Sequence, residues 1–205
     1  MVKPPSDESL LSFPSISTID ACAVWNILCS RTLTIAAKSR NRHFILADYV
    51  RYECLVKPRK KPTILDVELQ EKLKNELATN LHFSSYSLKV EDLRDIVSNI
   101  GPVRSFHRGE LAALALARKF NHSFVTDDYV ARGVAENSLG IFKVRTTPHL
   151  VGWLVYEMQL TDGDIPVIIT DNKVFRNDKG YLGDFIQACY EHAMMLRLGK
   201  MEYKE

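Results

Sequence analysis

The sequence predicts an α/β fold, a three-layer α/β/α sandwich around a central, mostly parallel sheet. Three observations carry that expectation. Short segments at residues 15–20, 43–47, 123–126 and 141–144 carry strand-forming apolar residues over four to six positions, as the strands of a sheet covered on both faces do. Segments with helical spacing of apolar residues separate them. The chain of 205 residues is 46% hydrophobic and 25% charged, which suits one globular core and is too apolar for a disordered chain.

Residues 1–15 hold Pro4, Pro5 and Pro14 among four serines and read as a poorly ordered lead-in. Residues 15–20 form a first strand ending in Asp20. Residues 21–37 are apolar enough for one buried helix, with Val24, Ile27 and Leu28 on a shared face. Residues 43–47 give the second strand, Asp48 caps a helix over residues 49–56, and Lys57-Pro58 stops it. Leu65, Leu69, Leu73 and Leu77 recur every four residues in an amphipathic helix over residues 64–77. A strand at 84–90 and a helix at 90–100 follow, the latter ended by Gly101-Pro102.

Residues 109–120 are apolar on every face, which predicts a helix covered on both sides. The strand at 123–126 runs into Asp127-Asp128, a helix spans 129–138, and Gly140 stands past its end. A strand at 141–144 and a helix at 150–160 close a domain of residues 16–158. Residues 159–205 extend it with a strand at 165–170 and a Met- and Ala-rich helix at 185–198, packed on the same domain.

Lys and Arg number 27 against 25 Asp and Glu, so net charge (+2) says nothing about nucleic acid. Cys22, Cys29, Cys54 and Cys189 fit no zinc spacing and read as reduced thiols of a cytoplasmic protein. No apolar run reaches the ~18 residues of a membrane span, and no basic-then-apolar leader opens the chain.

The acids carry the chemistry. In an open parallel sheet, ligands bind beyond the carboxyl ends of the strands. Asp20, Asp127 and Asp128 end strands there, Glu53 lies one turn into the helix after the second strand, and Glu110 opens the buried helix. Taken singly, each has a plain explanation. Asp20 and Asp127 fit helix N-caps, Glu110 answers a helix dipole, and Glu53 fits a solvated surface. Taken together, they stand against the most apolar segments of the chain. Converging carboxylates raise one another's pKa unless a divalent ion offsets them, and oxygen-only ligands suit Mg2+ or Mn2+.

The segments Ile19-Asp20-Ala21, Ala47-Asp-Tyr-Val-Arg-Tyr-Glu53, Arg108-Gly-Glu-Leu-Ala-Ala-Leu-Ala-Leu-Ala117 and Val125-Thr-Asp-Asp-Tyr-Val-Ala-Arg132 resemble, in that order, the motifs of the PIN-domain family, the fold of VapC-like toxin ribonucleases. The resemblance covers about residues 15–155. It implies an acidic pocket binding Mg2+ or Mn2+ and hydrolysis of RNA phosphodiesters. The family's first three acids fall on Asp20, Glu53 and Glu110. Its fourth falls on Asp128 or Asp127, because Thr126-Asp-Asp offers both. The resemblance further implies a cognate antitoxin and a homodimer. Such toxins are usually shorter, and the tail beyond residue 158 departs from their pattern.

On this reading Asp20, Glu110 and Asp127 or Asp128 touch metal, and Glu53 ligates or orients a water. Arg51, Arg108, Arg132 and Thr126 are candidate substrate contacts, with Arg104, the run at 57–61 and the basic stretch at 38–43 as further candidates for the rim. Arg132 either holds a phosphate or pairs with Asp128 four residues earlier. Trp25, Trp153 and Tyr156 are candidate base-stacking rings, although core or dimer packing is the simpler explanation of the two tryptophans. The competing class is a catalytically weak scaffold that binds a protein partner. No phosphate-cradling glycine loop and no second Asp two residues after Asp20 are present, which leaves out nucleotide cofactors and aspartyl-phosphate chemistry.

Overall fold

In the computed structural model, which describes residues 5–58, 61–100, 107–176 and 181–202, five parallel strands form one sheet. They are β1 (Ile16–Ile19), β2 (His43–Ala47), β3 (Phe83–Tyr86), β4 (Ser123–Val125) and β5 (Val144–Arg145). Their order is β3-β2-β1-β4-β5. Helices flank the sheet, so the expected three-layer α/β/α class holds. The strands bury Ile19, Phe44, Leu46, Phe83, Phe124 and Val125 almost completely, together with the polar Ser17 and Thr18 of β1.

The connecting helices are α2 (Ala21–Leu28), α3 (Arg31–Ser39), α4 (Asp48–Leu55), α5 (Ile64–Thr79), α6 (Val90–Ile100), α7 (Arg108–Phe120) and α8 (Tyr129–Leu139). Helix α7 lies across β1, β2 and β4 with α4 and α6 beside it. Its run of Ala112 to Ala117 is wholly buried, as its all-round hydrophobicity requires. Helix α5 starts on a reciprocal cap. The Thr63 hydroxyl accepts from Asp66 N–H at 3.1 Å, and the Asp66 carboxylate accepts from Thr63 N–H at 2.8 Å.

Several expectations are corrected. The lead-in contains a short helix, α1 (Asp7–Leu11), whose Leu10 is fully buried, and Phe13 packs its ring 5.9 Å from that of Trp153. The proline and serine content is real, but two large apolar side chains anchor the segment. The single helix expected over 21–37 is two helices. Ser30, fully buried, interrupts it and caps α3 through Leu33 N–H. Asp48 is the first residue of α4 rather than its cap, and its carboxylate accepts from the Ser87 hydroxyl. Strand β3 stops at Tyr86, and residues 141–143 form a 3-10 turn that leaves β5 two residues long. Helix α9 (Thr147–Tyr156) starts three residues earlier than its apolar run, because Thr146 caps it and Pro148 is tolerated in its first turn.

The strand expected at 165–170 is instead part of a helix, α10 (Asp164–Arg176). A short apolar run cannot by itself separate a strand from a buried helix segment. Ile165, Ile168 and Asn172, three and four residues apart, are its buried positions, and Pro166 again sits in a first turn where its missing N–H costs nothing. The final helix, α11 (Tyr181–Glu202), is longer than the run at 185–198. It packs along α9, and α1 leans on both. Among the described residues, no helix is long and apolar enough to cross a membrane.

The α9–α11 contact is close because Gly152 has no side chain. A methyl group there would meet Leu10 Cδ2 at 2.6 Å and the Cys189 backbone oxygen at 3.0 Å. Gly152→Ala is therefore expected to lose ~1–3 kcal/mol by overpacking, read as a lower midpoint in urea with an unchanged slope.

Candidate functional site

A doubly wound sheet has one place where its strand order reverses, and here that place lies between β1 and β4. Asp20 follows β1 and the Thr126-Asp127-Asp128 run follows β4. The register pairs Ile19 with Val125, which sets Asp20 beside Thr126. Asp20 N–H donates to the Val125 carbonyl at 3.1 Å, extending the ladder by one residue. The Asp20 carboxylate is fully inside the protein, at 1% exposure. Its Oδ1 accepts from Ala23 N–H at 2.8 Å, capping α2, and its Oδ2 accepts from the Thr126 hydroxyl. The cap and the expected site residue are thus one and the same.

The acids of α4 and α7 approach the same edge. Glu110 sits three residues into α7, and its Oε2 accepts from His107 N–H, the residue capping that helix, at 2.9 Å. Glu53 reaches across from α4 to lie over Gly109. A Cβ on Gly109 would stand 2.0 Å from Glu53 Oε2, so the glycine leaves the space that the carboxylate occupies. Lys57, just past the end of α4, is 3.5 Å from the other Glu53 oxygen.

The electrostatics show that these groups feel one another. Burial pushes the Asp20 carboxyl up to about 7, and the negative charges of Asp127 and Glu110 add to the effect. Burial also raises Glu110, and the charges of Asp128 and Glu53 add to it, while the His107 N–H bond works the other way. The five acids of the sequence pattern therefore form one coupled group around the switch point.

Within the group the two candidates for the fourth acid separate. Asp127 is held on both oxygens. Oδ2 accepts from Asn26 Nδ2 at 2.6 Å and from the Thr147 hydroxyl at 2.6 Å, and Oδ1 accepts from Thr147 N–H at 2.8 Å. It ties α2 and the start of α9 to the end of β4. Asp128 caps α8 through Oδ1, which accepts from Val130 and Ala131 N–H at 2.9 Å each. Neither bond involves its Oδ2. Thr126 is fully buried, and its hydroxyl donates to Asp20 and accepts from Asp128 N–H at 3.2 Å. It brackets two acids and does not face solvent.

Comparisons with family models, curated proteins and solved structures return no match for this chain.

The donor chemistry of Asp20 and Glu110 suits a hard divalent ion. All are oxygens, and ionised Asp20 and Glu110 are opposed by burial, which a cation relieves. Asp127 is the more heavily committed carboxylate, with three internal donors against two on Asp20. Among the described residues, no three His, Cys, Asp or Glu side chains are arranged to close on one ion. Mg2+ is commonly held by one or two carboxylates while it keeps several waters, so a pair of carboxylates suffices for it.

The basic rim is mixed. Arg51 and Arg108 are exposed on α4 and α7 near Glu53 and Glu110 in sequence. Arg132 does not pair with Asp128. Its Nε is 3.8 Å from Glu136, and its guanidinium lies over the Tyr129 ring at 5.5 Å and the Phe185 ring at 5.9 Å. Arg104 and residues 59–60 lie outside the described residues. In the 38–43 stretch, Lys38 pairs with Glu76, Arg40 pairs with Glu157, and Arg42 donates to the Phe13 carbonyl at 2.6 Å, so these cations brace the fold. The expected stacking rings are buried. Trp25 packs against Phe175, Trp153 lies under the Arg42 guanidinium at 4.6 Å, and Tyr156 is 9% exposed.

Two polar residues near the site were not among the sequence candidates. Asn26, fully buried, stands alone as a polar side chain in apolar α2, and that oddity was its available signal. Its backbone carbonyl accepts from Asn172 Nδ2 at 3.4 Å, which links α10 to the Asp127 cluster. Arg145, 4% exposed at the end of β5, donates to the Val144 carbonyl at 3.2 Å. Burial, with the charges of Arg145 and Arg132, pushes the nearby His149 down to about 3, so it is neutral at physiological pH.

Proposed function

We propose that this chain is a metal-dependent endoribonuclease that hydrolyses RNA phosphodiester bonds at the carboxyl edge of β1 and β4, using Mg2+ or Mn2+. The observation that carries the reading is the gathering of Asp20, Glu53, Glu110 and Asp128 from separate elements onto the strand-order reversal, with Asp20 too deeply buried to ionise readily on its own. Asp20 and Glu110, both raised by burial and by neighbouring carboxylates, oppose folding when ionised, which makes sense as the cost of a cation site.

Asp20 and Glu110 are the pair of residues that would hold the ion. The bound ion supplies a Lewis acid for the phosphate and an activated water. Thr126 holds the Asp20 carboxylate in one orientation through its hydroxyl. Glu53, fixed over Gly109, orients the attacking water and takes its proton. Arg108 and Arg132 face the polyanion and offset the repulsion between it and the acids. Hydrolysis needs no covalent nucleophile. The toxin role, a cognate antitoxin and a homodimer rest on the resemblance alone and enter no step.

A specific observation favours one other reading. Asp127 and one oxygen of Asp128 serve the fold, and a PIN-like scaffold binding a protein partner would use its acids in that way.

The test is incubation of purified protein with structured and unstructured RNA, with and without Mn2+. Wild type is expected to cleave, chelation to stop it, and Glu110→Gln to lower the rate by ~100-fold or more, as removal of a key electrostatic group does. Cleavage that survives chelation and substitution overturns the nuclease reading. Failure to bind any divalent ion supports the scaffold.

A further inference from the structure

We infer that Tyr129 and Arg132 form a stacking platform for an unpaired base of single-stranded RNA, one residue from the acidic edge. The choice of RNA rests on the nuclease reading; the platform rests on what surrounds Tyr129.

Tyr129 is the first residue of α8 and directly follows Asp128. Its side chain is 79% exposed, so it contributes almost nothing to the core. Its backbone is nevertheless fixed, because Asp128 Oδ1 holds the N–H groups of the next two residues. The ring is therefore carried at a set distance from the carboxylates. Val130 beside it is 45% exposed, so the start of α8 presents apolar surface next to charged groups.

The ring also has a cation at its side. The Arg132 guanidinium is 5.5 Å from the Tyr129 centroid and 5.9 Å from that of Phe185, while its contact with Glu136 is long, at 3.8 Å. A guanidinium placed between two rings is oriented by them and keeps N–H donors for a phosphate oxygen. An aromatic face beside such a fork matches a nucleotide: the base on the ring, its phosphate on the guanidinium. Stacking on one ring tolerates any base and excludes a paired one, so the platform selects single strands without reading sequence. The rings expected to stack from sequence, Trp25, Trp153 and Tyr156, are buried, which leaves Tyr129 as the exposed ring adjoining the acids of β4.

The experiment measures binding by fluorescence anisotropy in Mg2+, with all proteins carrying Glu110→Gln so that the strand stays intact. The probes are a labelled oligouridylate of roughly ten nucleotides, a length within the range of single-strand sites, and an abasic strand of the same length. Tyr129→Ala is expected to weaken the base-bearing strand roughly tenfold and to leave the abasic strand unchanged, the size of one lost stacking contact. Tyr129→Phe keeps the ring and the affinity. Tyr181→Ala, removing another exposed ring (74%) on α11, changes neither probe. Arg132→Gln weakens both probes and lowers the salt slope by about one.

The inference is overturned if Tyr129→Ala leaves the base-bearing strand unaffected, if it weakens both strands equally, or if the parent binds no RNA. Base-dependent binding through Tyr129 by a protein whose wild type does not cleave removes the nuclease reading and leaves the platform standing. Cleavage without any dependence on Tyr129 does the reverse.

Discussion

On the nuclease reading, Asp20→Asn is expected to end RNA cleavage and, at the same time, to raise the melting temperature at pH 8. The two effects have one cause. In the folded protein the Asp20 carboxyl titrates at about 7 instead of 3.8, because the ionised form is buried beside Asp127 and Glu110. A carboxyl raised in this way favours folding while it stays protonated. Its contribution is intact below the unfolded-state value near 4 and is lost as pH climbs through the folded-state value near 7. By pH 8 the lost stability approaches ~4 kcal/mol, from about three pKa units at ~1.4 kcal/mol each. Asparagine carries no charge to desolvate. Its oxygen still accepts from Ala23 N–H and its amide donates to the Thr126 oxygen, so the local bonds survive. For a chain of this size ~4 kcal/mol corresponds to a rise of roughly 10 °C. The gain should vanish near pH 4, where wild type is protonated too. Mn2+ should stabilise wild type at pH 8 and leave the variant unmoved, which calorimetry reads directly. A variant no more stable than wild type at pH 8 would show that Asp20 does not carry a buried charge.

Asp127→Ala is expected to act in the opposite sense, with a loss of ~3 kcal/mol or more in chemical denaturation. Removing the carboxylate strips the acceptor from Asn26 Nδ2, from Thr147 N–H and from the Thr147 hydroxyl, and both residues are fully buried. Hydrogen bonds to a charged group contribute ~1.5–3 kcal/mol each, and buried donors left without partners add their own cost. Relief of the repulsion with Asp20 offsets part of this, so the loss is less than the sum. Asp128→Ala, in contrast, removes a helix cap at a cost of ~1 kcal/mol. On the nuclease reading, Asp128→Ala loses rate and keeps its fold, and Asp127→Ala loses its fold first. The reverse ranking in urea would mean that Asp127, not Asp128, is the acid free to act.

The sequence disclosed the layers and the edge, and the reason lies in burial. The two central strands, β1 and β4, are largely buried, and they run directly into Asp20 and Thr126 at the switch point. Residues 165–170 were illegible as helix because Ile-Pro-Val-Ile-Ile carries β-branched side chains, and what favours the helix is packing against α3, far back in the sequence, and against the following α11. The helix break at Ser30 was hidden for a similar reason, since its hydroxyl acts only once Leu33 turns back over it. Asp127 and Asp128 look alike as letters. What separates them is Asn26 and Thr147, 101 and 20 residues away, so no local pattern could assign their roles.

Helix α9 has an implication for how the protein is made. Its first residue holds Asp127, yet its flanks are covered by α1, which precedes the whole sheet, and by α11, which follows it. The two covers touch, with His192 of α11 2.6 Å from Asp7 of α1. A chain leaving the ribosome therefore carries five finished strands and an apolar α9 that stays wet until α11 emerges. During that interval the nascent protein offers chaperones a sticky surface, so a ribosome stalled before α11 should hold a chain that chaperones bind.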